Sequence, residues 1–193
     1  RESSIPFSYR SARGEPIGYS IDLCKLLVEA IGEAVDREIA IKWVPVTSAS
    51  RIDDVVSGKV DLECGSTTGN LERQKRVAFS PTMFVSGTKL LVKKGSPIKS
   101  FRDLGGKRVV VTAGTTNEAA VTGLMRRFRI AMQLSTAPDH EQSFQQLASG
   151  QVDAFATDDV LLHGLVAQHR RRADFEVVGE FLSYEPYGLV YRK

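Results

Sequence analysis

The chain has 193 residues, 42% of them hydrophobic and 25% charged, with a net charge of +3. That composition excludes a disordered chain, a collagen and a coiled-coil rod, and so small a positive excess does not argue for nucleic acid. No run of about 18 apolar residues occurs, so no membrane-spanning helix is expected, and the start Arg1-Glu2-Ser3-Ser4 carries no apolar signal region.

The length suits one large domain or two lobes of about 100 residues. Ser20 is expected to cap a helix carrying Leu23, Leu27, Ala30, Ile31 and Ala34 on one face. Residues 39–46 (IAIKWVPV) read as a buried strand. Ser50 then opens a short helix with Ile52, Val55 and Val56, ended by Gly58. A strand at 60–64 (VDLEC) and a polar helical turn at 70–76 (NLERQKR) follow. The second half repeats the alternation, with strands at 89–94, 107–112, 130–135, 152–156 and 175–178. Its helices are expected at 100–104, 117–128, 141–148 and 159–168. Such alternation implies an α/β fold with largely parallel sheets. The segment VVSGKVD at 55–61 is echoed by LASGQVD at 147–153, which suggests one equivalent unit in each half. The run HRRR at 169–172 reads as a solvated helix end.

In two-lobed α/β proteins ligands sit beyond the carboxyl ends of strands. After 60–64 comes Gly65-Ser66-Thr67-Thr68-Gly69-Asn70, and after 107–112 comes Ala113-Gly114-Thr115-Thr116-Asn117. Free N–H groups, hydroxyls and a helix start make each loop a natural anion cradle; each reads equally as a capped helix start without ligand. Neither is a P-loop, and Cys64 two residues before Ser66 rules out a nucleophile elbow. Arg1, Arg51 and Arg73 lie near the same strand ends, and Asp158-Asp159 follows the strand at 152–156. Guanidinium groups for carboxylates and an aspartate for an ammonium together suggest an amino acid. Cys24 and Cys64 lack metal-site spacing, and His140, His163 and His169 form no i, i+4 pair, so no metal is expected. The two cysteines allow one disulfide or two buried thiols.

The segments RESSIPFSYR, GYSIDLC, VPVTSASR, DLECGSTTGNLERQKRVAFS, VVVTAGTTNEAA, DHEQSF and AFATDD resemble the periplasmic glutamate/aspartate-binding proteins of ABC transporters. These form part of the polar-amino-acid group of extracellular solute-binding proteins. The resemblance covers nearly the whole chain, and ECGSTTGNLERQK is its most specific piece. It implies a two-lobed periplasmic-binding-protein fold with mainly parallel sheets and two hinge strands. Lobe 1 would hold 1–86 plus 186–193 and lobe 2 would hold 87–185, with the ligand in the cleft; composition puts the hinge near 85–88 and 183–187.

Carried over by motif, Arg73 clamps the α-carboxylate with help from Thr116, while Ser66, Thr68 and Asp158 hold the α-ammonium. Arg1, Ser48, Arg51 and His140 surround a distal carboxylate. That set favours an acidic amino acid over its amide, since cations in a closing cleft need anionic partners. An oxidising periplasm permits a Cys24–Cys64 disulfide. The resemblance implies a non-catalytic periplasmic monomer without cofactor, whose partners are glutamate or aspartate and the ABC permease subunits, and no nucleic acid. A sensor domain of a longer membrane protein is the alternative. A cyclohexadienyl-dehydratase-like enzyme is another, with Glu63 or Glu72 as acid. Members of the family carry a strand before the Arg1 segment and helices after YGLVYRK, so apolar sheet surface is expected to be uncovered in lobe 1. Ala113 stands where a further hydroxyl would fit.

Overall fold

In the computed structural model, which describes residues 1–193, the chain opens with three short strands. These are β1 (Ser3–Ser4), β2 (Ser8–Arg10) and β3 (Pro16–Ile17), an antiparallel sheet with Tyr9 opposite both Ser3 and Ile17. Helix α1 (Tyr19–Ala34) follows, capped by Gly18 at φ 126°. A Cβ there would lie 2.4 Å from the Phe7 carbonyl oxygen, so glycine, not the expected Ser20, starts the helix. Ser20 sits in the first turn, where its buried hydroxyl donates to the Gly65 carbonyl at 2.8 Å. The Phe7 ring packs edge-on against Tyr19, Phe84 and Tyr187.

Next come α2 (Arg51–Val56), β4 (Leu62–Glu63), α3 (Leu71–Gln74) and β5 (Ala78–Phe79). Gly58, at φ 76°, closes the turn after α2. Residues 39–46, expected as a buried strand, form none. A strand exists through its hydrogen-bonded neighbour, and no strand of this region pairs with the segment. Its Ile39, Ile41 and Trp43 are exposed instead. With Leu27, Ile31 and Tyr191 they line an open, largely apolar cavity of about 730 Å³.

The remaining elements are β6 (Phe84–Ser86), β7 (Thr88–Lys93), β8 (Arg108–Thr112), α4 (Thr116–Phe128), β9 (Gln133–Ala137) and α5 (His140–Ser149). After them come β10 (Ala154–Asp158), α6 (Asp159–Gln168), β11 (Phe175–Val178), β12 (Glu185–Tyr187) and β13 (Val190–Tyr191). Single 3-10 turns cover Phe101–Leu104 and Arg172–Asp174. The chain divides into two units, Arg1–Phe84 with Pro186–Lys193, and Val85–Glu185. It crosses from one to the other twice, along β6 and β12, which pair with each other.

In unit 1, β13 lies between β4 and β5, antiparallel to both, with Val190 opposite Glu63 and Phe79. Val55, Val77 and Val190 form its small core, with Ile52, Val60 and Phe79 against it. In unit 2 the sheet order is β11-β7-β10-β8-β9. Only β10/β8 and β8/β9 are parallel; β7 runs antiparallel to both β10 and β11. The fold is therefore α/β, but its sheets are mixed rather than mainly parallel. Parallel pairing is confined to β8, β9 and β10 because helices α4 and α5 return the chain to the same sheet edge each time. The core of unit 2 gathers Leu90 and Val92 of β7, Val109 and Val111 of β8, and Ala154 and Ala156 of β10 around Phe101 and Leu104.

Candidate functional site

In unit 1 the loop after β4 is held from every side. Cys64 is joined by a disulfide to Cys24 of α1, with Cα atoms 6.3 Å apart. Ser20 bonds the Gly65 carbonyl, the Gly69 N–H donates to the Pro186 carbonyl at 2.8 Å, and the Gly188 N–H donates to Thr67 O. Gly65 permits a close approach: a Cβ would lie 2.3 Å from Glu63 Oε1 and 2.9 Å from Arg1 Cγ. Asn70 caps α3 by accepting from the Arg73 N–H, and Arg73 Nη1 reaches back to Thr68 O at 2.9 Å. Thr68 and Arg73, five residues apart, thus meet directly.

Ser66 and Thr68 are buried in this loop, and Ser66 Oγ has no hydrogen-bond partner although only 5% of the residue is exposed. A buried hydroxyl in that state carries a desolvation cost that a polar ligand would relieve. Ser48 and Arg51 are also buried, on the turn into α2 and at its start. Arg1 Nη2 donates to Ser4 Oγ at 2.9 Å. Arg1 Cγ and Glu63 Oε1 both lie within 3 Å of the position a Gly65 Cβ would take, so these two side chains share one neighbourhood. Glu63 is buried, accepting from Thr67 Oγ1 at 2.7 Å. Glu72 lies on the surface, paired with Lys75.

In unit 2 three expected residues stand at one sheet edge. Thr116 begins α4 after β8, His140 begins α5 after β9, and Asp158 ends β10. These strands are adjacent and parallel, so their carboxyl ends coincide. Thr115 caps α4, its side chain accepting from the Glu118 N–H, and Asp139 caps α5 by accepting from the Gln142 N–H. His140 is buried with Nδ1 2.9 Å from Thr112 Oγ1, which also meets Ser143 Oγ at 2.9 Å. Asp158 holds the position before α6 without a side-chain cap; Asp159 accepts from the Val160 N–H and from Ser86 Oγ instead.

Sequence reasoning missed two polar residues of unit 2. Asn117 is buried and donates from Nδ2 to Asp158 Oδ1 and to Thr88 Oγ1, both at 2.7 Å, while its Oδ1 accepts from Thr157. Glu185, 2% exposed, accepts from Thr116 Oγ1 at 2.5 Å and from Ser183 Oγ at 2.6 Å. The signal for Glu185 was present: an acidic residue set between aromatic and proline neighbours in Tyr184-Glu185-Pro186-Tyr187. Guanidinium groups and hydroxyls in unit 1, with an aspartate and a histidine in unit 2, are chemically suited to carboxylate and ammonium groups.

Residues 1–159 match the family model of bacterial extracellular solute-binding proteins, family 3. The whole chain is 46% identical to a glutamate/aspartate import solute-binding protein of Salmonella typhimurium, covering 64% of it. It is also 46% identical, over its full length and 65% of the relative, to an L-glutamate/L-aspartate-binding protein of Pseudomonas aeruginosa. The chain thus spans just under two thirds of the length of these relatives. Among solved structures, an ancestral arginine-binding protein bound to arginine superposes with a TM-score of 0.87 at 34% identity, covering all of this chain and 82% of that one.

Proposed function

Since the chain belongs to family 3 of the bacterial extracellular solute-binding proteins, we propose that it binds an acidic amino acid, glutamate or aspartate, without chemical conversion, and hands it to an ABC permease from the periplasm. Arg73 takes the α-carboxylate. Ser66, Thr68 and Asp158 take the ammonium, and Arg1, Ser48, Arg51 and His140 take the distal carboxylate. Thr116 assists Arg73 at the α-carboxylate. The observation that carries this reading is Arg51, a guanidinium 2% exposed at the start of α2. A cation so deeply buried favours an anionic partner. The names of the relatives that are 46% identical support the same ligand class.

Thermal melting of the purified protein with each common amino acid tests the reading. A ligand that binds only the folded state raises the midpoint, by about 2.7 kcal/mol of stability at a hundred times its Kd. Glutamate or aspartate is expected to give the largest rise. A larger rise with arginine, lysine or glutamine would contradict the assignment.

A further inference from the structure

Helix α1 buries three residues, Ser20, Ile21 and Cys24, and two of them hold the same loop. The Ser20 hydroxyl donates to the Gly65 carbonyl at 2.8 Å, and Cys24 is disulfide-bonded to Cys64. Ser20 and Cys24 are four residues apart, so they lie on one face of the helix, a turn from each other. Their partners, Cys64 and Gly65, are the two residues directly before Ser66.

The helix that makes these ties is itself fixed at its start. The Tyr19 N–H donates to the Pro6 carbonyl and the Ser20 N–H to the Phe7 carbonyl, both at 3.0 Å. The second half of the loop is held elsewhere in unit 1. Thr67 Oγ1 donates to Glu63 Oε2 at 2.7 Å, and the Gly69 N–H donates to the Pro186 carbonyl at 2.8 Å. Ser66 stands between the two halves, its buried hydroxyl without a hydrogen-bond partner. A loop free to relax would turn that hydroxyl toward water or nearby backbone. The observed arrangement is therefore one that the loop alone disfavours and that ties from outside it maintain.

We propose that Ser20 and Cys24 are positioning residues for ligand binding: through two ties one turn apart, α1 holds the Ser66 hydroxyl where it meets the ligand ammonium. The inference rests on the assignment of Ser66 to that ammonium. Without the ties the loop spends part of its time in arrangements that do not bind, and the apparent affinity falls in proportion to the competent fraction.

Two measurements test it on the purified protein, Ser20→Ala, Cys24→Ser/Cys64→Ser and Ile21→Val. The last trims a buried residue of the same helix that ties nothing to the loop, and so controls for general destabilisation. The first measurement needs no ligand: hydrogen–deuterium exchange read by mass spectrometry. In Ser20→Ala the backbone amides of 65–69 are expected to exchange about 2- to 12-fold faster, the worth of one hydrogen bond, with β8 and β10 of unit 2 unchanged. Unchanged exchange at 65–69, or a rise of the same size throughout the chain, would overturn the proposal, even if the cysteine variant fails to fold.

The second is calorimetry with glutamate and aspartate well below the melting midpoint. Ser20→Ala is expected to weaken binding about 2- to 12-fold, the folded cysteine variant to weaken it as well, and Ile21→Val to bind like the parent. Parent-like affinity in Ser20→Ala, or an equal loss in Ile21→Val, would overturn the proposal. If neither acid binds the parent protein, the proposed ligand is wrong, and the exchange measurement still decides whether α1 holds the Ser66 loop.

Discussion

Arg51 and Arg73 carry the same charge in different settings. Arg73 is tied into its own loop through Thr68 O, whereas Arg51 is buried at the start of α2. If Arg73 serves the α-carboxylate, Arg73→Met should weaken glutamate and glutamine binding about equally. If Arg51 serves the distal carboxylate, Arg51→Met should weaken glutamate strongly and narrow the gap between the two ligands. Loss of such a charge-assisted contact costs about 2–5 kcal/mol, roughly 30-fold to several thousandfold in affinity. Calorimetry with both ligands on both variants reads this directly. At the same scale, Asn117→Ala removes three buried hydrogen bonds and is expected to lower stability by about 1–3 kcal/mol in denaturant titration. Charged and hydroxyl residues in motif loops were legible because their types announce their chemistry. Asn117 was not, because its importance lies in who faces it across the fold, which local sequence does not encode; Glu185 carried a local signal, but its partners Thr116 and Ser183 did not follow from it.

Helices were legible from their periodicity. Asp159–Gln168 is expected as a helix and is one, although Asp158 makes no side-chain cap, and the Ser100–Asp103 capping box fixes a short 3-10 turn. Strands fared worse, since their existence depends on a neighbour: residues 39–46 have the right composition and no ladder. The first helix began at Gly18 because Phe7 leaves no room for a Cβ there, a contact remote from any capping signature. The Cys24–Cys64 bond closes a loop with a separation of 40 residues and ties α1 to the start of the Ser66 loop. Replacing both cysteines with serine should lower stability by about 2–4 kcal/mol, measured by thermal melting.

A second element-scale prediction concerns β8 and the turn before β10. Arg108 bonds Asp153 through both its side chain and its backbone N–H. The Arg108 side chain, as the largest influence, holds the Asp153 carboxyl below its ordinary 3.8. A carboxyl depressed in the folded state contributes stability above its unfolded value, and that contribution is lost as pH falls through the folded one. Asp153→Asn should therefore lower the melting temperature at neutral pH, with the gap closing as pH falls below 3.8. A gap that stayed constant down to acid pH would show that the charge contributes nothing.

At the scale of the molecule, two units share one chain that crosses between them twice. Of the residues proposed to bind the ligand, the arginines, Ser48, Ser66 and Thr68 belong to unit 1, and Thr116, His140 and Asp158 to unit 2. In unit 1 an open, largely apolar cavity lies beside α1, lined by Leu27, Ile31 and Trp43. The central claim is that the buried Arg51 guanidinium, with Arg1, selects a second carboxylate on an amino acid. Calorimetry on the purified protein with glutamate, aspartate and glutamine tests it most directly. The account predicts that glutamate or aspartate binds at least about 30-fold more tightly than glutamine, the lower bound for losing a charge-assisted contact. Glutamine bound as tightly as either acid would contradict it.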